Sequence, residues 1–189
     1  AAPVAKGAEA EPAESEPPPE ATRRIAAAAA PGGLDEEVGD RWARAQAEQQ
    51  REDTIQGAMI RYGIDRDLAA DIYDAAVAND IEPDIAFGLV NTESTFDHRP
   101  VSHVGARGLT QVMPRTAQWL RPGTTAEDLF DRNLNLDLGF SYLRDLIDKY
   151  DGNVRLALLA YNRGPGTVDR VLRQGGDPNN GYADSVLGG

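Results

Sequence analysis

The 189-residue chain contains no cysteine, so no disulfide framework is available and nothing indicates a redox compartment. It also lacks a phosphate-binding glycine loop followed by lysine, and it lacks a Gly-x-Ser-x-Gly motif. No apolar run approaches the roughly 20 residues of a transmembrane helix. Residues 1–20 have neither the charged start nor the apolar centre of a signal peptide. If the protein is exported, we therefore expect its targeting segment to be absent from this chain.

Positive charge is scarce as well, because 19 Lys and Arg stand against 31 Asp and Glu and leave a net charge of -12. This excess of negative charge disfavours nucleic acid or an anionic membrane surface as the main partner. The two histidines, His98 and His103, lie in a loop with Asp97 nearby, and their spacing gives weak support for a metal site. We predict neither a metal nor another cofactor.

Composition divides the chain into three parts. Residues 1–33 are rich in Ala, Pro, Glu and Gly and cannot bury enough apolar surface to offset the entropy of ordering, which predicts a disordered linker. Residues 34–63 carry apolar side chains at helical spacing and predict an N-terminal helical segment, as one helix or two, that stops at Gly63. Residues 64–189 form the predicted main domain, and their length suffices for one core.

Helical periodicity continues through the main domain, and no run alternates convincingly as a strand. Asp65 is a predicted N-cap, and Asp128 is predicted to complete a capping box. Further helices are predicted at residues 83–94, 114–120, 125–130, 132–150 and 153–162. The fold class is therefore all-α, with at most a short hairpin near residues 102–111.

One carboxylate stands where the helical pattern requires an apolar side chain. Ile85, Leu89 and Glu93 lie one above another at i, i+4 and i+8, so Glu93 ends the buried stripe of its helix. An apolar setting and the negative end of the helix dipole both oppose ionisation, and both raise the pKa of Glu93. A carboxyl group that stays protonated near neutral pH suits a general acid. The alternative is a glutamate at the rim of the helix that reaches water.

Glu93 begins the first of three motifs that follow one another along the chain. They are ESTF at residues 93–96, GARGLTQVMPRTA at residues 105–117 and AYNRGPG at residues 160–166. In order, spacing and residue type they resemble the catalytic domain of the soluble lytic transglycosylases, a branch of the lysozyme-like superfamily. The resemblance covers roughly residues 55–175 and implies a lysozyme-like helical fold and a lytic murein transglycosylase.

Glycosidases ordinarily need two carboxylates at the bond that they cleave, and Asp97 is the nearest second candidate in sequence. Asp97 is better explained as a loop-capping residue. The resemblance implies a mechanism with one carboxylate, in which Glu93 first protonates the oxygen of a MurNAc-GlcNAc β-1,4 bond. It then takes a proton from the C6 hydroxyl of the same MurNAc, which closes on C1 and leaves a 1,6-anhydroMurNAc end.

The resemblance also implies substrate-binding residues around the acid: Ser102 beside its carboxyl group, Gln111 bonded to substrate or acid, Met113 in the wall of the groove, and Tyr161 and Asn162 facing the acid and the sugar. For two of these the sequence leaves a structural alternative open. Met113 would serve equally as core filler, and Tyr161 as a buried aromatic with a satisfied hydroxyl.

We thus expect an enzyme of the periplasm or the extracellular cell envelope that acts as a monomer on peptidoglycan glycan strands. A cell-envelope or secretion-machinery partner stays open. Two other functions compete with this prediction: a hydrolytic muramidase on the same fold and a noncatalytic glycan-binding domain. His103 and Arg107 depart from the family pattern and leave the subsite preference open.

Overall fold

The computed structural model describes residues 36–188 of the protein. Within this range the secondary structure is helical, in the order α1 (Glu36–Tyr62), α2 (Arg66–Ala78), α3 (Pro83–Ser94), α4 (Pro114–Leu120), a 3-10 helix (Asp128–Phe130), α5 (Arg132–Lys149), α6 (Val154–Arg163), α7 (Pro165–Arg173) and α8 (Tyr182–Leu187). At most a short hairpin is expected near residues 102–111, and there two isolated antiparallel bridges join Arg107 to Val101 and to Val112. The all-α prediction is confirmed, while the predicted linker at residues 1–33 lies outside the described residues.

The chain divides into two compact units, residues 1–46 and residues 47–189. In the first unit, the described residues 36–46 are helical, and those from 38 onward are exposed. The helical segment predicted at residues 34–63 is one continuous helix from Glu36, which ends where Gly63 adopts a left-handed φ of +67°. None of the helices in the described range combines the length and apolar composition that crossing a membrane takes. The predicted domain boundaries stay predictions.

Local capping fixes several helix starts in the second unit. The Asp65 carboxylate accepts a hydrogen bond from the amide of Leu68 at 2.8 Å, as predicted. Thr125 and Asp128 form the predicted capping box, since each side chain accepts a hydrogen bond from the other's amide. The helix that follows is shorter than the predicted 125–130 segment and is of the 3-10 type. The sequence interpretation did not include α7 and α8.

The core of the second unit surrounds α3. Phe87, Leu89 and Val90 of this helix are at most 2% exposed and pack with buried side chains of α2, α5 and α6. Burying such aromatic and aliphatic side chains contributes about 1.5–3 kcal/mol each. Because α3 is held along its length by this core, the last turn of the helix, which carries Glu93, has a defined position.

A close approach between α3 and α8 sets the surroundings of that last turn. A methyl group added at Gly88 would lie 2.0 Å from the carbonyl oxygen of Val186, so the two backbones touch where only glycine fits. Glu93 follows Gly88 along α3, whereas Tyr182 precedes Val186 along α8. The two helices therefore run antiparallel and place Tyr182 against Glu93.

Candidate active site

Glu93 lies in the last turn of α3, which ends at Ser94 because Thr95 takes a left-handed conformation with φ 51°. Its side chain is partly buried. Burial raises the pKa of the Glu93 carboxyl, and a hydrogen bond donated by the Tyr182 hydroxyl to Oε1 opposes part of that rise. The predicted direction of the pKa shift is confirmed. The cause is desolvation, and no neighbouring carboxylate within the described residues contributes to it.

Tyr182 is the residue of this site that the sequence interpretation missed. Burial raises the pKa of its phenol far above the ordinary value, and the negative charge of Glu93 raises it further. The phenol therefore stays protonated and donates to the carboxylate. The sequence does contain a signal for this residue, because Tyr182 is an aromatic side chain that directly follows the polar, turn-forming segment 177–181.

The end of α6 holds the loop that leads to Tyr182. The Asn180 side-chain amide donates to Oδ1 of Asn162 at 3.0 Å. The Arg163 guanidinium donates to the carbonyl of Pro178. Asn162, predicted to face the sugar, is exposed and is tied to this loop. Its predicted contact with substrate stays a prediction.

Tyr161 lies close enough to Glu93 for the negative charge of the carboxylate to affect the pKa of Tyr161. Burial raises the pKa of Tyr161 well above its ordinary value, and the Glu93 charge adds to the rise. Its hydroxyl donates to the carbonyl of Thr110 at 2.8 Å, and its ring centroid lies 5.5 Å from that of Tyr142. Tyr161 thus has the satisfied hydroxyl that the sequence allowed, while it lies near the acid.

The loop between α3 and α4 uses the side chains of Ser102 and Gln111 to stabilise itself. The Ser102 hydroxyl accepts the amide of Ala106 at 3.0 Å. The Gln111 side-chain amide donates to two backbone carbonyls of the same loop, at 3.0 and 3.3 Å. Within the described residues, neither side chain forms a hydrogen bond with Glu93. Their predicted contacts with substrate and acid stay predictions.

Asn135 of α5 holds this loop through side-chain hydrogen bonds to its backbone. The sequence analysis did not identify Asn135 as a site residue. Its Oδ1 accepts the amide of Thr110 at 2.9 Å, and its Nδ2 donates to the carbonyls of Arg107 and Leu129 at 2.9 and 3.0 Å. Both Asn135 and Thr110 are buried. Because buried polar groups are costly unless bonded, this arrangement fixes the backbone that receives the Tyr161 hydroxyl.

Tyr142, whose ring packs near that of Tyr161, also lines a groove of about 480 Å³. We call it the Trp119 groove, and its walls are formed by Met113, Arg115, Thr116, Trp119, Tyr142 and Pro165. Met113 is 37% exposed in this wall, which favours the predicted groove position over core filling.

Asp97, the nearest second carboxylate in sequence, is exposed in the loop that follows α3. Its Oδ1 accepts the amide of Arg99 at 3.1 Å. The predicted loop-capping role is confirmed. This hydrogen bond explains the aspartate at position 97 without a catalytic role.

The chain is similar in sequence and fold to several known proteins. Residues 71–182 match the family model described as the transglycosylase SLT domain. A transglycosylase of Enterobacteria phage PRD1 is 41% identical over 90 residues, which are 48% of this chain and 32% of that protein. Membrane-bound lytic murein transglycosylase C of Histophilus somni is 36% identical over 120 residues, covering 56% of this chain and 33% of the relative.

Among solved structures, an inactive Glu-to-Gln variant of lytic transglycosylase Slt from Pseudomonas aeruginosa superposes with a TM-score of 0.52. It is 28% identical, and the match covers 62% of this chain and 20% of that protein. The predicted lysozyme-like helical fold is confirmed. The chain spans about a third of the length of the curated relatives described above.

Proposed function

Since this chain belongs to the transglycosylase SLT domain family, we propose that it is a lytic transglycosylase of the bacterial cell envelope. It cleaves the β-1,4 bond between MurNAc and GlcNAc in peptidoglycan and leaves 1,6-anhydroMurNAc ends. One observation carries this proposal. Glu93 is a partly buried carboxyl with a raised pKa, it receives a hydrogen bond from Tyr182, and it lies near Tyr161.

In the first step Glu93 acts as a general acid. Burial keeps its carboxyl protonated at a pH where an ordinary glutamate has ionised, so it has a proton to donate to the glycosidic oxygen. The bond between C1 and that oxygen breaks, the GlcNAc part leaves as an alcohol, and positive charge develops at C1 of MurNAc. The Tyr182 hydroxyl stabilises the carboxylate that this step leaves on Glu93.

In the second step the same carboxylate acts as a base. It takes the proton of the C6 hydroxyl of that MurNAc, whose oxygen bonds to C1 and closes the anhydro ring. Glu93 is protonated again at the end, so the cycle balances without water. A single carboxylate therefore suffices, in accord with the capping role of Asp97 in its own loop.

The names of the relatives support the substrate and the reaction. They are a transglycosylase and a lytic murein transglycosylase, and in the Pseudomonas enzyme a Glu-to-Gln variant is described as inactive. Since peptidoglycan lies outside the cytoplasmic membrane, we expect this chain to act in the periplasm or outside the cell.

Mass spectrometry of the fragments released from purified sacculi tests substrate, bond and mechanism together. We expect fragments with 1,6-anhydroMurNAc ends, which are lighter by one water than hydrolytic products and resist borohydride reduction. Reducible MurNAc ends as the main product would identify a muramidase. Binding to sacculi without any release would identify a noncatalytic glycan-binding domain.

A further inference from the structure

The Trp119 groove presents a flat aromatic ring to solvent. Trp119 is 67% exposed, whereas Ala117 of the same helix is fully buried in a small cluster with Val112, Leu129 and Leu138. One face of α4 therefore packs against the protein, and the other faces solvent. A large exposed aromatic side chain in a groove is a feature of ligand sites, because folding alone favours its burial.

Tyr142 links the groove to the proposed catalytic site. Tyr142 belongs to its wall, and the ring of Tyr142 lies 5.5 Å from that of Tyr161. Tyr161 in turn lies within the electrostatic influence of Glu93. The contact between Tyr142 and Tyr161 thus relates the groove to the site at Glu93.

Arg115 adds a positive charge to this aromatic wall. It is exposed and forms no ion pair with a carboxylate in the part of the chain that the structure describes. Arg115 and Trp119 stand four residues apart on α4, so they share one helix face. In a protein of net charge -12, an unpaired guanidinium in a groove is complementary to an anionic ligand.

We propose that the Trp119 groove is a subsite for a sugar that carries a stem peptide. Trp119 stacks on the C–H face of an N-acetylhexosamine, and Arg115 binds a carboxylate of the peptide. In intact peptidoglycan the lactyl group of MurNAc is joined to the peptide by an amide, so the carboxylates available to Arg115 are those of the stem. This subsite presupposes the proposed function and adds to it a preference for peptide-bearing strands.

Tryptophan fluorescence tests the subsite directly, because the chain has two tryptophans, Trp42 and Trp119. Trp42→Phe leaves Trp119 as the sole reporter, and Glu93→Gln in the same chain prevents turnover during the titration. The probes are a peptide-bearing glycan fragment, the same fragment with its peptides removed, and a GlcNAc oligomer of equal length. We expect all three to shift the emission of Trp119, since each offers a sugar face.

Arg115→Gln is then expected to weaken binding of the peptide-bearing fragment about tenfold, which is about 1.4 kcal/mol, and to leave the other two unchanged. Arg121→Gln, an exposed arginine at the end of the same helix, is the matched control and is expected to change none of them. Equal weakening of all three probes by Arg115→Gln would overturn the stem-peptide assignment, and so would weakening of the peptide-free fragment.

The outcomes also separate this subsite from the proposed function. If the unmodified protein leaves anhydro ends on sacculi but Trp119 does not respond, the subsite is wrong and the proposed function stands. If Trp119 and Arg115 respond as expected but sacculi are not cleaved, the groove is a binding site and the proposed function is wrong.

Discussion

The hydroxyl of Tyr182 donates a hydrogen bond to the carboxylate of Glu93, although the two residues are 89 positions apart in the sequence. Glu93 lies in the last turn of the core helix α3, and Tyr182 begins the short helix α8 that lies against it. Burial and this hydrogen bond act in opposite directions on the pKa of Glu93, and burial dominates. The acid is therefore tuned by two parts of the chain that only the fold brings together.

Replacing Glu93 by Gln is expected to abolish cleavage and to preserve the fold. The amide is nearly isosteric and still accepts the Tyr182 hydrogen bond, but it cannot donate and recover a proton. The barrier should rise by about 3–5 kcal/mol, as measured by the rate of anhydro-end release from sacculi. Retention of more than about a tenth of the rate, equivalent to about 1.4 kcal/mol, would point to another acid.

Tyr182→Phe is expected to move the pH profile of kcat/KM. The lost hydrogen bond stabilised the carboxylate, so the pKa of Glu93 rises further. Because Glu93 must be protonated to act as acid, activity falls as pH rises through that pKa, and this limb should move to higher pH. The measurement is the pH profile of kcat/KM for Tyr182→Phe and for the unmodified protein under the same conditions.

Tyr150→Phe is the matched control for that profile. The Tyr150 hydroxyl also donates to a carboxylate, that of Asp169 at 2.8 Å, in a different contact from that of Tyr182 with Glu93. Its loss should leave the alkaline limb in place. A uniform drop in kcat/KM for Tyr182→Phe, with the limb unmoved, would mean that Tyr182 has a structural role alone.

Glu93 should also make stability depend on pH. The pKa of Glu93 is higher in the folded protein than the ordinary value of 4.5, which applies to the unfolded chain. At a pH between the unfolded-state pKa and the folded-state pKa, the folded state therefore binds more protons than the unfolded state. The free energy of unfolding therefore falls as pH rises through this window. Glu93→Gln lacks this fall, so its stability relative to the unmodified protein should increase as pH rises above 4.5 in urea unfolding. A constant difference across this range would contradict the burial of Glu93.

Gly139→Ala is expected to disturb the contact between Asn135 and Thr110 that supports the loop between α3 and α4. The added methyl group would lie 2.3 Å from Oγ1 of Thr110, which is buried against Asn135. Relieving this contact should cost about 1–3 kcal/mol of unfolding free energy in denaturant titrations. Gly57→Ala in α1, where nothing lies within 4 Å, is the control and should stabilise by about 0.5–1 kcal/mol. Equal stability of the two variants would show that Thr110 can move freely.

The features that the sequence predicted well are those encoded within a few residues. Asp65 caps α2, Pro114 opens α4, and Asp97 caps its own loop. Each depends on a side chain that bonds a backbone amide two or three positions away, or on the fixed φ of proline. Such interactions need no tertiary information. The three motifs added the family, which is confirmed, and the proposal that Glu93 is the acid.

The features that were missed depend on contacts between distant parts of the chain. Tyr182 meets Glu93, and Asn135 meets Thr110 25 residues away, so no local spacing indicates either pair. The short helix α8 buries only Ala183 and Val186, which is too little for a periodic pattern. Its position is set by the close approach to Gly88. Ser102 and Gln111 bond within their own loop, which a motif cannot distinguish from substrate binding.

Asp97→Asn separates transglycosylation from hydrolysis. If water were the nucleophile, a second carboxylate would have to activate it, and Asp97→Asn should then abolish turnover as thoroughly as Glu93→Gln. With the C6 hydroxyl as nucleophile, Glu93 serves as acid and then as base. The asparagine oxygen can still accept the Arg99 amide, so we expect nearly full activity and a small loss of stability at most. Both are measured on sacculi with the products reduced by borohydride. An inactive Asp97→Asn, together with reducible MurNAc ends from the unmodified protein, would make this chain a lysozyme.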